Sequence, residues 1–271
     1  MCKDCGCQQG NARAWDESGD RDAAAGGREQ DQGHSHQHHH HHDHHGASPR
    51  RVEVETRVLA RNDEAAANNR RRLEQRGVVA LNLISSPGSG KTTLLERTLE
   101  LLEGRMSCAV IAGDQQTDND ARRLAGRGAR VRQIETGSAC HLDATQIAAV
   151  LDAVCEDDTR LLLIENVGNL VCPAAFDLGE HRRVTLLSVT EGEDKPLKYP
   201  LPFHDADLVL ITKTDLLPHL DWDRRACHAA LGQVGFGGRL IEVSARSGEG
   251  LDEWIEWLTA VAAEGPVNCP H

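Results

Sequence analysis

The chain has 271 residues, 39% of them hydrophobic and 27% charged, with a formal net charge of −12. That length accommodates one domain of ordinary to large size plus extensions. The acidic balance argues against a nucleic-acid or anionic-membrane partner, since both need basic surface, and neither the first fifty residues nor the remainder is basic.

Residues 1–50 contain almost no aliphatic side chains and cannot bury enough apolar surface to offset the entropy of ordering, so a disordered tail is expected. Its start, "MCKDCGC", lacks the apolar stretch of a signal peptide, and no apolar run in the chain approaches the length of a membrane span. The expectation is a cytoplasmic protein. Nine cysteines, with Cys2, Cys5 and Cys7 crowded at the start, do not resemble a disulfide framework; in a reducing compartment such a cluster reads first as metal ligands. The tract "HSHQHHHHHDHH" adds His34, His36, His38, His39, His40, His41, His42, His44 and His45. Being internal and broken by Ser35, Gln37 and Asp43, it reads as a metal-buffering segment rather than an expression tag.

Residues 51–77 have helical composition, with Val58, Leu59 and Leu73 as their few apolar anchors and Gly77 as the stop. Over 78–271 apolar runs then alternate with helical stretches. "VVALNLISS", "CAVIA", "LLLIENV", "VTLLSVT", "DLVLIT" and "RLIEVS" read as strands; "TTLLERTLELL", "DATQIAAVLDAVC" and "LDEWIEWLTAVAA" read as helices. Repeated strand and helix predict an α/β domain with a mainly parallel sheet covered on both faces.

"SSPGSGKTT", residues 85–93, lies between the first strand and a helix, the context a Walker A loop requires. Gly90, Lys91 and Thr92 match G-K-[ST], and Ser85 stands where the first glycine is usual. The backbone N–H groups from Gly88 through Ser89 and Gly90 to Lys91 form the phosphate cradle, which continues into Thr92 and Thr93. Lys91 neutralises the β/γ oxygens, and the Thr92 hydroxyl coordinates Mg²⁺.

Two further stretches select guanine. In "TKTD", Asp215 can accept from the ring N–H and exocyclic amine of guanine, which adenine does not offer, while Lys213 lies along the base and Thr212 replaces the usual Asn. "SAR" ends the next strand with Ser244 and Ala245 and is placed to present a backbone N–H to the guanine oxygen. "LLLIENVGN" ends a strand with Glu165, three residues before Gly168, in place of the usual D-x-x-G; Asp114 after another strand is a second carboxylate for Mg²⁺. Positioning and charge neutralisation suffice for slow phosphoryl transfer to water.

"SACHLD" puts Cys140 beside His141, and Cys172 follows Gly168 by four residues, at the end of the segment that should sense the γ-phosphate. These are three ligands suited to zinc or nickel, one short of a closed tetrahedral site. Two chains sharing the metal across a two-fold interface would complete it, or the fourth position stays open for transfer. Cys108, Cys155 and Cys227 lie in apolar or helical patterns and read as core or surface thiols; His181, His204, His219 and His228 have no partner at convincing spacing.

Taken together, "MCKDCGC", the histidine tract, "NLISSPGSGKTTLL", "GDQQTDNDARRL", "TGSACHLDA", "ENVGNLVCP", "EGEDKPLKYP" and "TKTDLLP" resemble the hydrogenase nickel-insertion GTPases, the HypB type of P-loop metallochaperone, over nearly the whole length. The resemblance implies GTP hydrolysis coupled to homodimerisation and to nickel delivery into a NiFe-hydrogenase large-subunit precursor, with a small zinc-containing HypA-type chaperone as partner. It assigns Cys2, Cys5 and Cys7 to a tight nickel site, and Cys140, His141 and Cys172 to a metal site at the dimer interface. It also implies that Lys195 or Lys198 reaches the partner chain's nucleotide. A nickel store dominated by the histidine tract, and a related GTPase for urease or cobalamin enzymes, are the alternative readings.

Overall fold

All six apolar runs become strands. The computed structural model describes residues 49–114 and 119–266. In chain order they form α1 (Pro49–Arg76), β1 (Val79–Ser85), α2 (Lys91–Leu102), β2 (Cys108–Asp114), α3 (Asn119–Leu124) and β3 (Arg130–Glu135). Then follow α4 (Ala144–Val154), β4 (Leu161–Glu165), β5 (Arg182–Ser188), α5 (Lys195–Lys198), α6 (Pro200–His204) and β6 (Leu208–Thr212). The last three are α7 (Arg224–Gln233), β7 (Arg239–Val243) and α8 (Leu251–Glu264). Short 3-10 turns occupy Pro173–Ala175 and Thr214–His219. The cysteines at the start of the chain, the histidine tract and the final "CPH" lie outside the described residues.

The seven strands form one sheet in the order β3-β2-β4-β1-β5-β6-β7, and every pairing is parallel. Strands β1, β4 and β6 are buried throughout, as expected when helices cover both faces. On one face α2 and α8 pack Leu95, Leu99, Trp254 and Leu258 on the strands, and the Trp254 indole donates to the Thr98 hydroxyl at 2.8 Å. On the other, α4 contributes Ile147 and Leu151, while α6 and α7 contribute Phe203 and Leu231.

Two expectations change. Strand β3 was not foreseen: its sequence "RVRQIE" alternates Arg with short apolar residues, and as an edge strand it is mostly solvent-facing, so it offers no apolar run. In α1 Leu73 is fully buried, but Val58 and Leu59 are exposed, so they are not anchors. The helix is held instead by asparagines on the same stripe. Asn62 donates to the Asp177 carbonyl at 2.7 Å and accepts from the Ala144 N–H at 2.9 Å. Asn69 donates to the Ala144 carbonyl at 2.7 Å and the Leu178 carbonyl at 3.1 Å. Arg70 pairs with Asp177 at 2.8 Å. Among the described residues no helix is long and apolar enough to cross a membrane.

Parallel strands in one sheet present all their carboxyl ends on one edge, where open α/β sheets bind ligands. Ser85, Asp114, Glu165 and Thr212 are the last residues of β1, β2, β4 and β6, and Ser244 follows β7 directly.

Candidate functional site

The loop from β1 to α2 wraps a cleft of about 490 Å³. Pro87, Gly88, Ser89, Gly90, Lys91, Thr92 and Thr93 line one wall; Gly113, Asp114, Arg123, Glu165, Asn166, Val167, Gly168 and Lys213 complete it. Gly88 and Gly90 have φ of 73° and 97°, the left-handed region that a side chain disfavours, and so turn backbone N–H groups inward at the start of α2. The departure at Ser85 has a function in the fold: its hydroxyl accepts from Lys91 Nζ at 2.9 Å and from Ser89 Oγ at 2.6 Å. Lys91 is thereby held over the loop.

Thr92 Oγ1 donates to Glu165 Oε1 at 2.6 Å. A hydroxyl, that carboxylate and the nearby Asp114 are all-oxygen donors of the kind Mg²⁺ takes. Gly168 lies against the loop so closely that a Cβ there would stand 3.1 Å from Pro87 Cα. A side chain there would make the Pro87 backbone give by a few tenths of an ångström, so the segment after β4 packs closely on the loop. No motif in the sequence marks an arginine for this cleft, yet Arg123 of α3 lines it and donates to Thr93 Oγ1 at 3.1 Å and Glu96 Oε2 at 2.6 Å.

A second cavity of about 220 Å³ shares Ser89, Gly90, Thr93 and Lys213 with the first and adds Leu94, Thr212, Asp215, Leu216, Val243, Ala245 and Arg246. Its walls come from the two stretches read as base-selecting. Thr212, in place of the usual Asn, donates from Oγ1 to the Ser89 carbonyl at 2.7 Å. Lys213 is the one non-glycine residue with positive φ among those described, at 61°, and its Nζ donates to the Gly88 carbonyl at 2.5 Å. Ser244 Oγ donates to Asp215 Oδ1 at 2.6 Å, which fixes the carboxylate while leaving its other oxygen for a ligand.

The three soft ligands converge as well. One ligand atom from each of Cys140, His141 and Cys172 lies within 4.8 Å of the others, and all three residues are half-buried. Cys140 Sγ is 3.8 Å from His141 Nδ1, and the imidazole stacks on Phe176 with centroids 3.9 Å apart. Burial lowers the His141 pKa, opposed by the negative charge of Asp143, which favours the neutral imidazole a metal binds. The pair is anchored from behind by a capping box in which Asp143 accepts from the Gln146 N–H at 2.8 Å and Gln146 Oε1 accepts from the Asp143 N–H at 3.0 Å. Cys172 immediately precedes the turn Pro173–Ala175. Cys108, Cys155 and Cys227 are buried elsewhere, and burial pushes their thiols up to about 12, 11 and 11.

Lys195 and Lys198 do not line the chain's own cleft. Lys195 Nζ lies 3.2 Å from Glu191 Oε2 and 5.1 Å from the Tyr199 ring centroid; Lys198 Nζ lies 2.6 Å from Asp194 Oδ2 and is largely exposed.

Residues 79–235 match the family described as CobW/HypB/UreG, nucleotide-binding domain. Relatives named hydrogenase maturation factor HypB include that of Azotobacter vinelandii, 57% identical over 209 residues that cover 77% of this chain and 69% of the relative. That of Escherichia coli K12 is 54% identical over 214 residues, 79% and 74% of the two chains. Among solved structures, HypB from Helicobacter pylori in complex with nickel superposes with a TM-score of 0.73 at 36% identity, covering 78% of this chain and 99% of that one. HypB from Archaeoglobus fulgidus gives 0.71 at 40% identity, covering 75% and 100%. The phosphate loop, the cavity beside it and the thiol–imidazole cluster thus lie at the carboxyl edge of the sheet in a chain that belongs to the CobW/HypB/UreG family and is of its HypB type.

Proposed function

We propose that this chain is a GTPase that uses the nucleotide cycle to control a nickel cargo and delivers it to the NiFe-hydrogenase large-subunit precursor. The observation that carries this reading is the position of Cys172. It lies on the segment that leaves Glu165 and passes the phosphate loop at Gly168, yet its ligand atom is within 4.8 Å of those of Cys140 and His141. Phosphate sensing and metal holding therefore share one stretch of backbone. The relatives' name and the nickel complex of the Helicobacter pylori protein support nickel as the cargo; the same ligands suit Zn²⁺.

In this reading Lys91, Thr92, Asp114 and Glu165 act on the phosphates and Mg²⁺, and Thr212, Lys213, Asp215, Ser244 and Ala245 hold guanine. Three ligands leave the metal one short of a closed tetrahedral set, which a second copy of the chain supplies in a GTP-dependent homodimer. Lys195 and Lys198, outside the chain's own cleft, are the basic residues that reach the partner's nucleotide. Cys2, Cys5 and Cys7 form a tight nickel site, the histidine tract buffers the metal, and a HypA-type chaperone is the exchange partner.

The test is activation of a nickel-free hydrogenase precursor by nickel-loaded protein with GTP or with a non-hydrolysable analogue. Delivery that is faster with GTP than with the analogue is expected. Equal delivery with both, or delivery that tracks only the histidine tract, would favour a nickel store.

A further inference from the structure

Asn166 is buried one residue beyond Glu165. Its carboxamide oxygen accepts from two backbone groups at once: the Val167 N–H at 3.0 Å and the Leu142 N–H at 3.2 Å. Val167 precedes Gly168 at the phosphate loop, and Leu142 follows His141. One oxygen atom therefore ties the nucleotide-sensing segment to the loop carrying two of the three metal ligands. Leu142 is itself fully buried, and its side chain fills the space where a Cβ on Gly113, next to Asp114, would come within 2.8 Å. The Cys140–His141 loop is thus seated on the ends of both β2 and β4.

The orientation of the carboxamide is set from the core. Asn166 Nδ2 donates to Asn82 Oδ1 at 3.1 Å, and Asn82 Nδ2 donates to Glu180 Oε1 at 3.2 Å. That oxygen also accepts from Arg183 Nε at 2.8 Å, while Arg183 donates to the Ala174 carbonyl at 3.2 Å, two residues past Cys172. The backbone stretch bearing Cys172 is consequently held at Val167 by Asn166 and at Ala174 by Arg183, through one buried polar chain. Networks of this kind specify a unique arrangement because each unmet member is costly.

We propose that Asn166 is the positioning residue that couples nucleotide to metal, a latch whose oxygen joins the Val167 and Leu142 N–H groups and so sets the distance between Cys172 and the Cys140–His141 pair. The proposal rests on the nucleotide-controlled metal reading above. When a phosphate contact draws on Gly168, the shared oxygen cannot keep both N–H groups in their present places. The ligand set changes shape at that joint. A coupling carried this way falls in the usual range of about 5–150-fold in affinity.

The test uses the full-length chain with Cys2, Cys5, Cys7 and Cys269 changed to Ala, so that thiolate-to-cobalt charge-transfer absorbance reports the Cys140–Cys172 site. Co²⁺ is titrated with GDP bound and with a non-hydrolysable GTP analogue bound. The ratio of half-saturating Co²⁺ concentrations is expected to lie in the range above with Asn166 present. It should collapse to within about twofold of unity in Asn166→Ala, measured at concentrations of each nucleotide shown to saturate that variant. A ratio unchanged in Asn166→Ala overturns the latch and leaves the proposed function standing; a ratio of one in the chain that retains Asn166 overturns both. Should Asn166→Ala not fold, amide exchange of the unaltered chain decides. The Leu142 amide must change protection on replacing GDP by the analogue, and constant protection there overturns the proposal.

Discussion

Thr92 Oγ1 and Glu165 Oε1 are 2.6 Å apart, so the helix that opens on the phosphate loop is bonded directly to the end of β4. Glu165→Gln keeps an acceptor for the Thr92 hydroxyl but removes the charge that a divalent cation needs. The expected result is a fall of roughly 100-fold in GTP hydrolysis, comparable to removing one electrostatic stabiliser from an active site. GDP affinity measured without Mg²⁺ should stay within about threefold. An undiminished hydrolysis rate would remove Glu165 from the phosphate machinery.

Asp215 is held by Ser244 at 2.6 Å in the cavity that adjoins the phosphate-loop cleft. Two charge-assisted bonds to guanine correspond to roughly 100-fold or more in affinity. Asp215→Asn should lose that preference for GTP and gain xanthosine triphosphate, whose C2 carbonyl oxygen can accept from the new amide. Competition binding with GTP, ATP and xanthosine triphosphate checks this; a wild type that takes ATP as readily as GTP contradicts it.

The sequence offers His181 no partner at convincing spacing, and the structure buries it at the entry to β5, where Nδ1 accepts from the Ala80 N–H at 3.0 Å. Burial, reinforced by the charges of Arg70 and Arg182, pushes its pKa down from 6.5 to about 4. The unfolded chain then binds the proton more tightly than the folded one. The stability contributed by the neutral form is complete above about pH 6.5 and is lost as pH falls toward 4, an effect of about 3 kcal/mol. His181→Asn, which preserves an acceptor, should flatten the fall in urea-unfolding free energy between pH 7 and pH 4 by about that amount. Parallel curves for the two proteins would show that His181 titrates normally.

Cys2, Cys5 and Cys7 lie within a few residues of one another, a thiolate set that suits Ni²⁺. Changing all three to Ala should abolish the tightest nickel-binding phase and leave GTP hydrolysis unaltered. Unchanged nickel affinity would transfer that phase to the histidine tract.

The strands most deeply buried were the most legible, because a parallel sheet covered on both faces writes itself as continuous apolar runs such as "LLLIE" and "LVLIT". Strand β3 escaped because an edge strand rich in arginine carries no such run. The loop from β1 to α2 was readable from backbone demands that few residue types meet; the grouping of Cys172 with Cys140 and His141 came from ligand type and the family resemblance, and their ligand atoms do lie within 4.8 Å of one another. Asn62, Asn69, Asn82 and Asn166 were not readable. A buried asparagine is marked by its partners, which come from segments as distant as Asp177 for Asn62 and Leu142 for Asn166, and nothing in its own neighbourhood of sequence announces them.

The most direct measurement of the central claim is nucleotide affinity with and without Ni²⁺ at the Cys140–His141–Cys172 site, in the chain with Cys2, Cys5 and Cys7 changed to Ala. Linkage requires bound metal to change the ratio of GTP-analogue to GDP affinity by the factor with which nucleotide changes metal affinity, about 5–150-fold. The account predicts a ratio shifted by Ni²⁺ in this protein and no shift once Cys172→Ala is added, with GTP still bound in both. The same ratio with and without Ni²⁺ would contradict it.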